Sequence, residues 1–296
     1  MKTAAAATST DMSTHTLEVP GATLTYDVRP GAGSAEPILL IIGSPMGAAG
    51  FVTLANHFTD RTVVTYDPRG SDRSTKSVPA SPSTPEEHAD DLHRLLSTLG
   101  AGAVDLFASS GGAVNALALV ARHPQDVRVL VDHEPPLWQI LPDREACLTA
   151  AADIHETYLA KGHGPAMAKF IALVAHEGPL PDDYATRPAP DPAMFGLPTD
   201  DDGSRNDPLL GQNMMSGSHF TADIPALRAA ATRIVVAVGE ESSDVITGRA
   251  AIALAEQLGT APVTFPGGHA GFLGGEYGQT GKPDAFAEKL REVLAA

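Results

Sequence analysis

Ser110 is the side chain in this sequence best placed to act as a nucleophile. It sits in Ala108-Ser109-Ser110-Gly111-Gly112, between an apolar run, Ala103 to Phe107, and a helix-like stretch, Ala113 to Ala121. A serine on a sharp strand-to-helix turn, with tiny residues two positions away on either side, is a nucleophile elbow; larger flanks would strike the neighbouring backbone. The spacing selects Ser110 over Ser109, whose flank on one side would be the bulky Phe107. A hydroxyl is a weak nucleophile near neutral pH, so Ser110 needs a base within hydrogen-bond reach.

The elements that must position it alternate along the chain. Thr16 to Val19 and Ala22 to Val28 flank Pro20-Gly21 and read as an antiparallel hairpin. Ile38 to Ile42 is continuously apolar, as a strand covered on both faces should be. Thr62 to Tyr66, Ala103 to Phe107, Val127 to Val131, Ile234 to Val238 and Ala261 to Phe265 continue the series. Between them, helices are expected over Phe51 to His57, Thr84 to Leu99, Gly112 to Arg122, Ile246 to Leu258 and Pro283 to Leu294. Thr84-Pro85-Glu86-Glu87 is a good helix start: a capping threonine, a proline in the first turn and two early acids. The alternation implies a mostly parallel sheet covered on both sides. Residues 137–232 break the rhythm, with helical pieces at Arg144 to Ala160 and Pro165 to His176 and a loop rich in Pro and Asp from Gly178 to Asp207. An insert of this kind between two core strands reads as a lid over the carboxyl ends of the sheet.

Composition narrows the function classes. At 296 residues the chain can bury a sizeable core. A net charge of −16 leaves no basic stripe for a nucleic acid and disfavours anionic membrane surfaces. Cys147 is the one cysteine, which removes intrachain disulfides and thiolate metal clusters. No apolar stretch reaches the roughly 18 residues that span a bilayer. Residues 1–12 carry no apolar signal core and are expected to be a frayed tail of a cytoplasmic protein. The pair His88 and His93 lies five residues apart, on different faces of a helix, and is expected to belong to a solvated acidic face rather than a metal site.

Taken in order, several stretches resemble the α/β-hydrolase family from about residue 14 onward. Gly43-Ser44-Pro45-Met46-Gly47 follows the third strand, where that family has its oxyanion loop. Tyr66-Asp67-Pro68-Arg69-Gly70-Ser71-Asp72-Arg73-Ser74 is similar to its Asp-x-Arg-Gly-x-Gly-x-Ser turn; the Ser110 elbow comes next, and Gly267-Gly268-His269 follows the last strand. The resemblance implies an α/β-hydrolase fold: a mostly parallel eight-stranded sheet, helices on both faces and a helical lid after the sixth strand. Core segments 13–136 and 233–296 would bracket the lid. The chain departs from the pattern at Ala108, at Ile42, and at Ser242, three positions after Gly239, where many relatives carry the triad aspartate.

The same resemblance places His269 over the elbow as the base, one of eleven histidines. The acid expected to hold its imidazole is Glu134, with Asp244 as the alternative. Glu134 ends the strand after the elbow helix, where some branches of the family, including some haloalkane dehalogenases, carry theirs; Asp244 and Glu241 stand near the usual place; a dyad without an acid is a further option. The oxyanion hole implied uses the backbone N–H groups of Gly111 and Ser44, since Pro45 has none to give. The expectation is a serine hydrolase cleaving an ester, lactone or thioester of a small, largely apolar molecule through an acyl-enzyme; a dehalogenase or epoxide hydrolase of this fold would be expected to have Asp at 110. Trp138, Met167, Phe170, Met194, Phe195, Met214, Met215 and Phe220 are the large apolar lid residues available for a pocket. The alternative is a lyase, cyclase or acyl transferase using the same residues for proton transfer, and behind it a non-catalytic ligand-binding member of the fold. No metal, nucleotide or flavin is expected, because no phosphate-cradling glycine loop or ligand cluster is present in the sequence.

Overall fold

Pro20-Gly21 turns the chain back on itself: Gly21 takes φ 76°, a backbone state that costs glycine little. The computed structural model describes residues 12–33 and 35–296. Of the tail expected over residues 1–12, all but Met12 therefore lies outside the described residues. Strand β1 (Ser13–Val19) pairs antiparallel with β2 (Ala22–Arg29), with Val19 opposite Ala22. Then come β3 (Leu39–Ile42), β4 (Val63–Asp67), β5 (Thr75–Lys76), β6 (Val104–Ser109), β7 (Val127–His133), β8 (Arg233–Gly239) and β9 (Val263–Phe265). The sheet runs β1-β2-β4-β3-β6-β7-β8-β9. From β4 across to β9 every pairing is parallel. The sheet has nine strands rather than eight because β5, two residues long and held on the edge of β2, is too short to carry a periodic pattern. Counting it, the insert follows β7.

The helices are α1 (Val52–Asn56), α2 (Pro85–Leu99), α3 (Gly111–Arg122), α4 (Arg144–Lys161), α5 (His163–Val174), α6 (Met214–His219), α7 (Ile224–Ala229), α8 (Ile246–Leu258) and α9 (Pro283–Ala295). Alternate residues of a strand point to opposite faces, and the two cores follow that period. Leu40, Ile42, Leu106, Ala108 and Leu130 pack with α2, α3 and α8; Leu39, Ile41, Phe107, Val129 and Val131 pack with α1 and α9. Covering both faces is why Ile38 to Ile42 is apolar throughout. The Thr84 start is realised in full: its hydroxyl accepts from the Glu87 amide at 3.2 Å, and the Glu87 carboxylate accepts from the Thr84 amide at 3.0 Å.

Within the insert, the two expected helical pieces are α4 and α5, but further helices follow that no periodicity announces. Pro208–Asn213 forms a π-helical turn continued by α6, and α7 comes after it. Both starts are set by aspartate caps. Asp207 accepts from the Leu209 and Leu210 amides at 2.9 and 2.7 Å, and Asp223 from the Ala226 amide at 3.0 Å. The insert also corrects the reading of His88. That side chain lies on the buried face of α2 with Ala89, Leu92, Leu95 and Leu96, and its Nε2 is 2.7 Å from Asn213 Oδ1 in the π-helical turn. Burial lowers its pKa to about 4. His93 is the one nearer solvent, partnered by Asp126.

Candidate active site

The elbow is strained where the sequence requires it. Ser110 links β6 to α3 with φ 57° and ψ −128°, a state that residues with a side chain rarely adopt. Its amide donates to His133 O at 2.9 Å, and its carbonyl accepts from Ala113 N at 2.9 Å, which opens α3. The glycines that follow are small because the loop after β3 passes over them. A Cβ added to Gly111 would lie 2.4 Å from Ser44 O, and one added to Gly112 would lie 2.7 Å from Gly43 Cα. Ser44 and Gly111, the two residues from which oxyanion donors are expected, are therefore in backbone contact.

The loop after β3 is held from behind. Asp67 Oδ1, at the end of β4 and almost wholly buried, accepts from the Ala48 amide at 2.8 Å. Arg73 bridges Asp67 at 2.5 Å and Asp27 at 2.9 Å, and Arg69 makes a two-pronged contact with Asp91 at 2.7 Å on each prong. The Asp67-to-Ser74 stretch thus serves as a brace that ties β2, β4, α2 and the loop together.

Glu134 follows β7 with φ 50° and is fully buried. Its amide donates to Ala237 O at 3.1 Å, locking the turn to β8. Oε1 accepts from Gly239 N at 2.8 Å; Oε2 accepts from Thr247 Oγ1 at 2.9 Å and lies 2.6 Å from His269 Nδ1. Burial by itself pushes this carboxyl's pKa up, but the hydrogen bond from His269, the field of His133 and the Gly239 amide outweigh it, leaving the pKa well below the usual carboxylate range. A proton held on Nδ1 leaves Nε2 as the ring's acceptor, the tautomer a general base needs.

The other carboxylates are elsewhere. Asp244 is exposed, and among the described residues its side chain has no hydrogen bond or ion pair; its carbonyl accepts from Gly178 N at 2.8 Å. Glu241 is exposed and pairs with Lys282 at 2.8 Å. Ser242 is 2% exposed beside Gly268. Ser110 is joined to the Glu134–His269 pair through His133: its amide bonds the His133 carbonyl, and the His133 ring stacks on His269 at 6.0 Å and 21°. No hydrogen bond joins Ser110 Oγ to His269 among the described residues; in unliganded sites such bonds are commonly long and tighten on binding.

Sequence reasoning passed over His133 and Asp132. His133 is fully buried among Phe107, Phe265, Phe272 and Phe286, with Nδ1 3.0 Å from Ser109 Oγ, and burial lowers its pKa to about 4. It is a neutral shelf under the His269 ring. Asp132 is fully buried, neither of its carboxyl oxygens has a hydrogen-bond partner among the described residues, and burial raises its pKa well above the ordinary value. The only signal for either was its place at the end of a strand next to Glu134. Of the large apolar insert residues, Trp138, Met167, Phe170, Met214, Met215 and Phe220 pack on the core, whereas Met194 and Phe195 are exposed on a short turn. No helix among the described residues is long and apolar enough to cross a membrane.

Comparison with known proteins agrees with this architecture. A family model for the alpha/beta hydrolase fold matches residues 36–152. The chain is 35% identical over 285 residues to the uncharacterized hydrolase YraK of Bacillus subtilis (strain 168), covering 94% of this chain and 95% of that one. Among solved structures, an enol-lactonase from Burkholderia xenovorans LB400 gives a TM-score of 0.64 at 18% identity, over 95% of this chain and 100% of the other. A thermophilic esterase from Thermogutta terrifontis gives 0.65 at 20%, over 96% and 98%. At those identities the structural likeness speaks for the fold alone.

Proposed function

This chain belongs to the α/β-hydrolase fold family and is a hydrolase of that family, and on that premise we propose a serine hydrolase that cleaves a carboxylic ester, lactone or thioester of a small, largely apolar molecule. Ser110 Oγ attacks the carbonyl carbon while His269 Nε2 takes its proton. The tetrahedral oxyanion is held by the N–H groups of Ser44 and Gly111, each typically worth about 3 kcal/mol in the transition state. Collapse expels the alcohol or thiol, which receives the proton from His269, and leaves an acyl-enzyme on Ser110. Water, deprotonated by His269, then releases the acid. Glu134 keeps Nδ1 protonated and stabilises the imidazolium; it does not itself take up the proton. Residues 137–232 act as the lid over the site and the segments 13–136 and 233–296 as the core.

One observation carries this reading: a buried, ionised Glu134 lies 2.6 Å from His269 Nδ1 at the strand ends beside the strained Ser110. The expected experiment is labelling with a phosphonofluoridate followed by peptide mass spectrometry. Modification should fall on Ser110, and Ser110→Ala should abolish turnover of a short p-nitrophenyl ester. Labelling at Ser110 without ester turnover would move the chain to the non-hydrolytic members of the fold.

A further inference from the structure

At the end of α3 remote from Ser110, three side chains with metal-binding atoms converge. His93 comes from α2, His123 closes α3, and Asp126 ends the short turn Pro124–Asp126 that follows. One ligand atom of each lies within 4.8 Å of the others. The two imidazoles are stacked at 3.9 Å and 8°, and His93 Nδ1 is 2.6 Å from Asp126 Oδ2. His123 Nε2 is buried and has no hydrogen-bond partner among the described residues. A desolvated ring nitrogen without a partner is costly, and two stacked imidazoles cannot both be charged comfortably. A cation relieves both once the exposed His93 ring turns out of the stack, so that the in-plane lone pairs of the two rings converge on one point. We propose that His93, His123 and Asp126 form a binding site for one divalent first-row transition metal, with zinc as the first candidate.

The donor set argues for that class. Two imidazoles and one carboxylate suit zinc and its neighbours, whereas calcium and magnesium take oxygen ligands. Ligands placed tetrahedrally about 2.0–2.1 Å from zinc stand roughly 3.3 Å apart, so the 2.6 Å contact of His93 with Asp126 must open while the wider separations in the cluster close. His93 and Asp126 have the freedom to do so, with side chains 34% and 15% exposed. His93 also opens on a surface cleft of about 410 Å³ that is shared with Glu18 and gives an ion a way in. Arg94 and Arg122 stand nearby and oppose a cation, but both face the Asp90 carboxylate, at 3.5 and 3.8 Å. The twelve residues of α3 separate this cluster from Ser110 by about 18 Å along the helix axis. The metal's role is then to fasten α2 to the end of α3, away from the hydrolytic chemistry.

The test is zinc titration of the full chain after EDTA treatment, read by equilibrium dialysis and by thermal melting. One zinc per chain should bind saturably, with magnesium failing to bind at the same concentration. At a hundredfold excess over Kd the melting temperature should rise by roughly 4 °C. His93→Gln and His123→Gln should each weaken binding at least tenfold, and the double variant should lose both the binding and the melting shift. In wild-type protein, zinc should protect His93 and His123 from diethyl pyrocarbonate, read by peptide mapping, so the result does not depend on any variant folding. Absence of saturable uptake, uptake unchanged in the double variant, or reaction of both histidines undiminished by zinc would overturn the site. None of these readouts involves ester turnover, so failure here and failure of the hydrolase reading are separate results.

Discussion

Glu134 and His269, 135 positions apart in the chain, meet at 2.6 Å between Oε2 and Nδ1, and the carboxylate is pinned from two other directions by the Gly239 amide and the Thr247 hydroxyl. Three hydrogen bonds to a buried carboxylate fix one ring orientation and one tautomer. Asp244, exposed on the loop after β8, has no comparable contact among the described residues.

Glu134→Gln should therefore lower kcat on a p-nitrophenyl ester by about 10⁴, the scale seen when a triad loses its charge but keeps its shape. KM should change little, and Asp244→Asn should stay within about twofold of wild type in both constants. Steady-state kinetics on the two variants decides it, and the reverse pattern would reassign the acid to Asp244.

Ser110 combines the reactive hydroxyl with a strained backbone at φ 57°. Removing the hydroxyl and removing the strain are separable. Ser110→Ala should abolish turnover with a melting temperature near wild type, because alanine keeps the Cβ. Ser110→Gly should abolish turnover as well and also stabilise the fold by about 1 kcal/mol, the lower end of what such a backbone state costs. Thermal denaturation of both variants reads this; equal stability would mean that the turn is not strained.

At Gly112 the obstacle to a side chain is backbone on every side: Gly43 Cα at 2.7 Å, Gly43 C at 2.8 Å and Ile42 O at 3.0 Å from an added Cβ. Gly112→Ala must push the loop after β3 outward, at a cost of about 1–3 kcal/mol in stability. Moving Ser44 with that loop takes a donor off the developing oxyanion, for which a 10²–10³-fold fall in kcat is the usual size. A folded Gly112→Ala protein with wild-type kcat would remove Ser44 from the oxyanion hole.

Much of this arrangement was legible in the sequence, for identifiable reasons. A strand buried on both faces must be apolar throughout, so Leu39–Ile42 and its neighbours announced a covered parallel sheet. Thr84 and Glu87 announced the start of α2. The Ser110 elbow showed because its constraint is local, the close approach of backbone to Gly111 and Gly112. The carboxylate beside His269 was legible only as a preference for Glu134 over Asp244, because the choice depends on β7 and β8 being parallel neighbours with His133 opposite Ala237. His88 was misplaced for a similar reason: charge density marks a helix as amphipathic but does not say that the insert returns to cover one more residue of its face. The π-helical turn and α7 are too short to carry a period and exist through their aspartate caps and tertiary contacts.

Burial at His88 and His133 ties stability to pH in a way that can be apportioned. Each ring has its pKa lowered to about 4 by burial, against 6.5 when exposed. Between those values the unfolded chain binds a proton that the native ring does not, so each contributes stability that is fully present above pH 6.5 and is lost as pH falls toward 4. The slope is about 1.4 kcal/mol per pH unit for each histidine. Asp132 works in the opposite direction, since burial raises its pKa and the native state holds a proton that the unfolded chain has released. Glu134, with its pKa lowered, adds stability that is lost only in stronger acid, below the ordinary carboxylate value of 4.5. Removing one histidine should subtract one proton from the sum. His88→Gln can still donate to Asn213 Oδ1, and urea unfolding from pH 6.5 to 5 should show its stability falling less steeply than wild type by about 1 kcal/mol per pH unit. Parallel curves would mean that His88 takes up as many protons in the native state as in the unfolded one, so that burial does not lower its pKa.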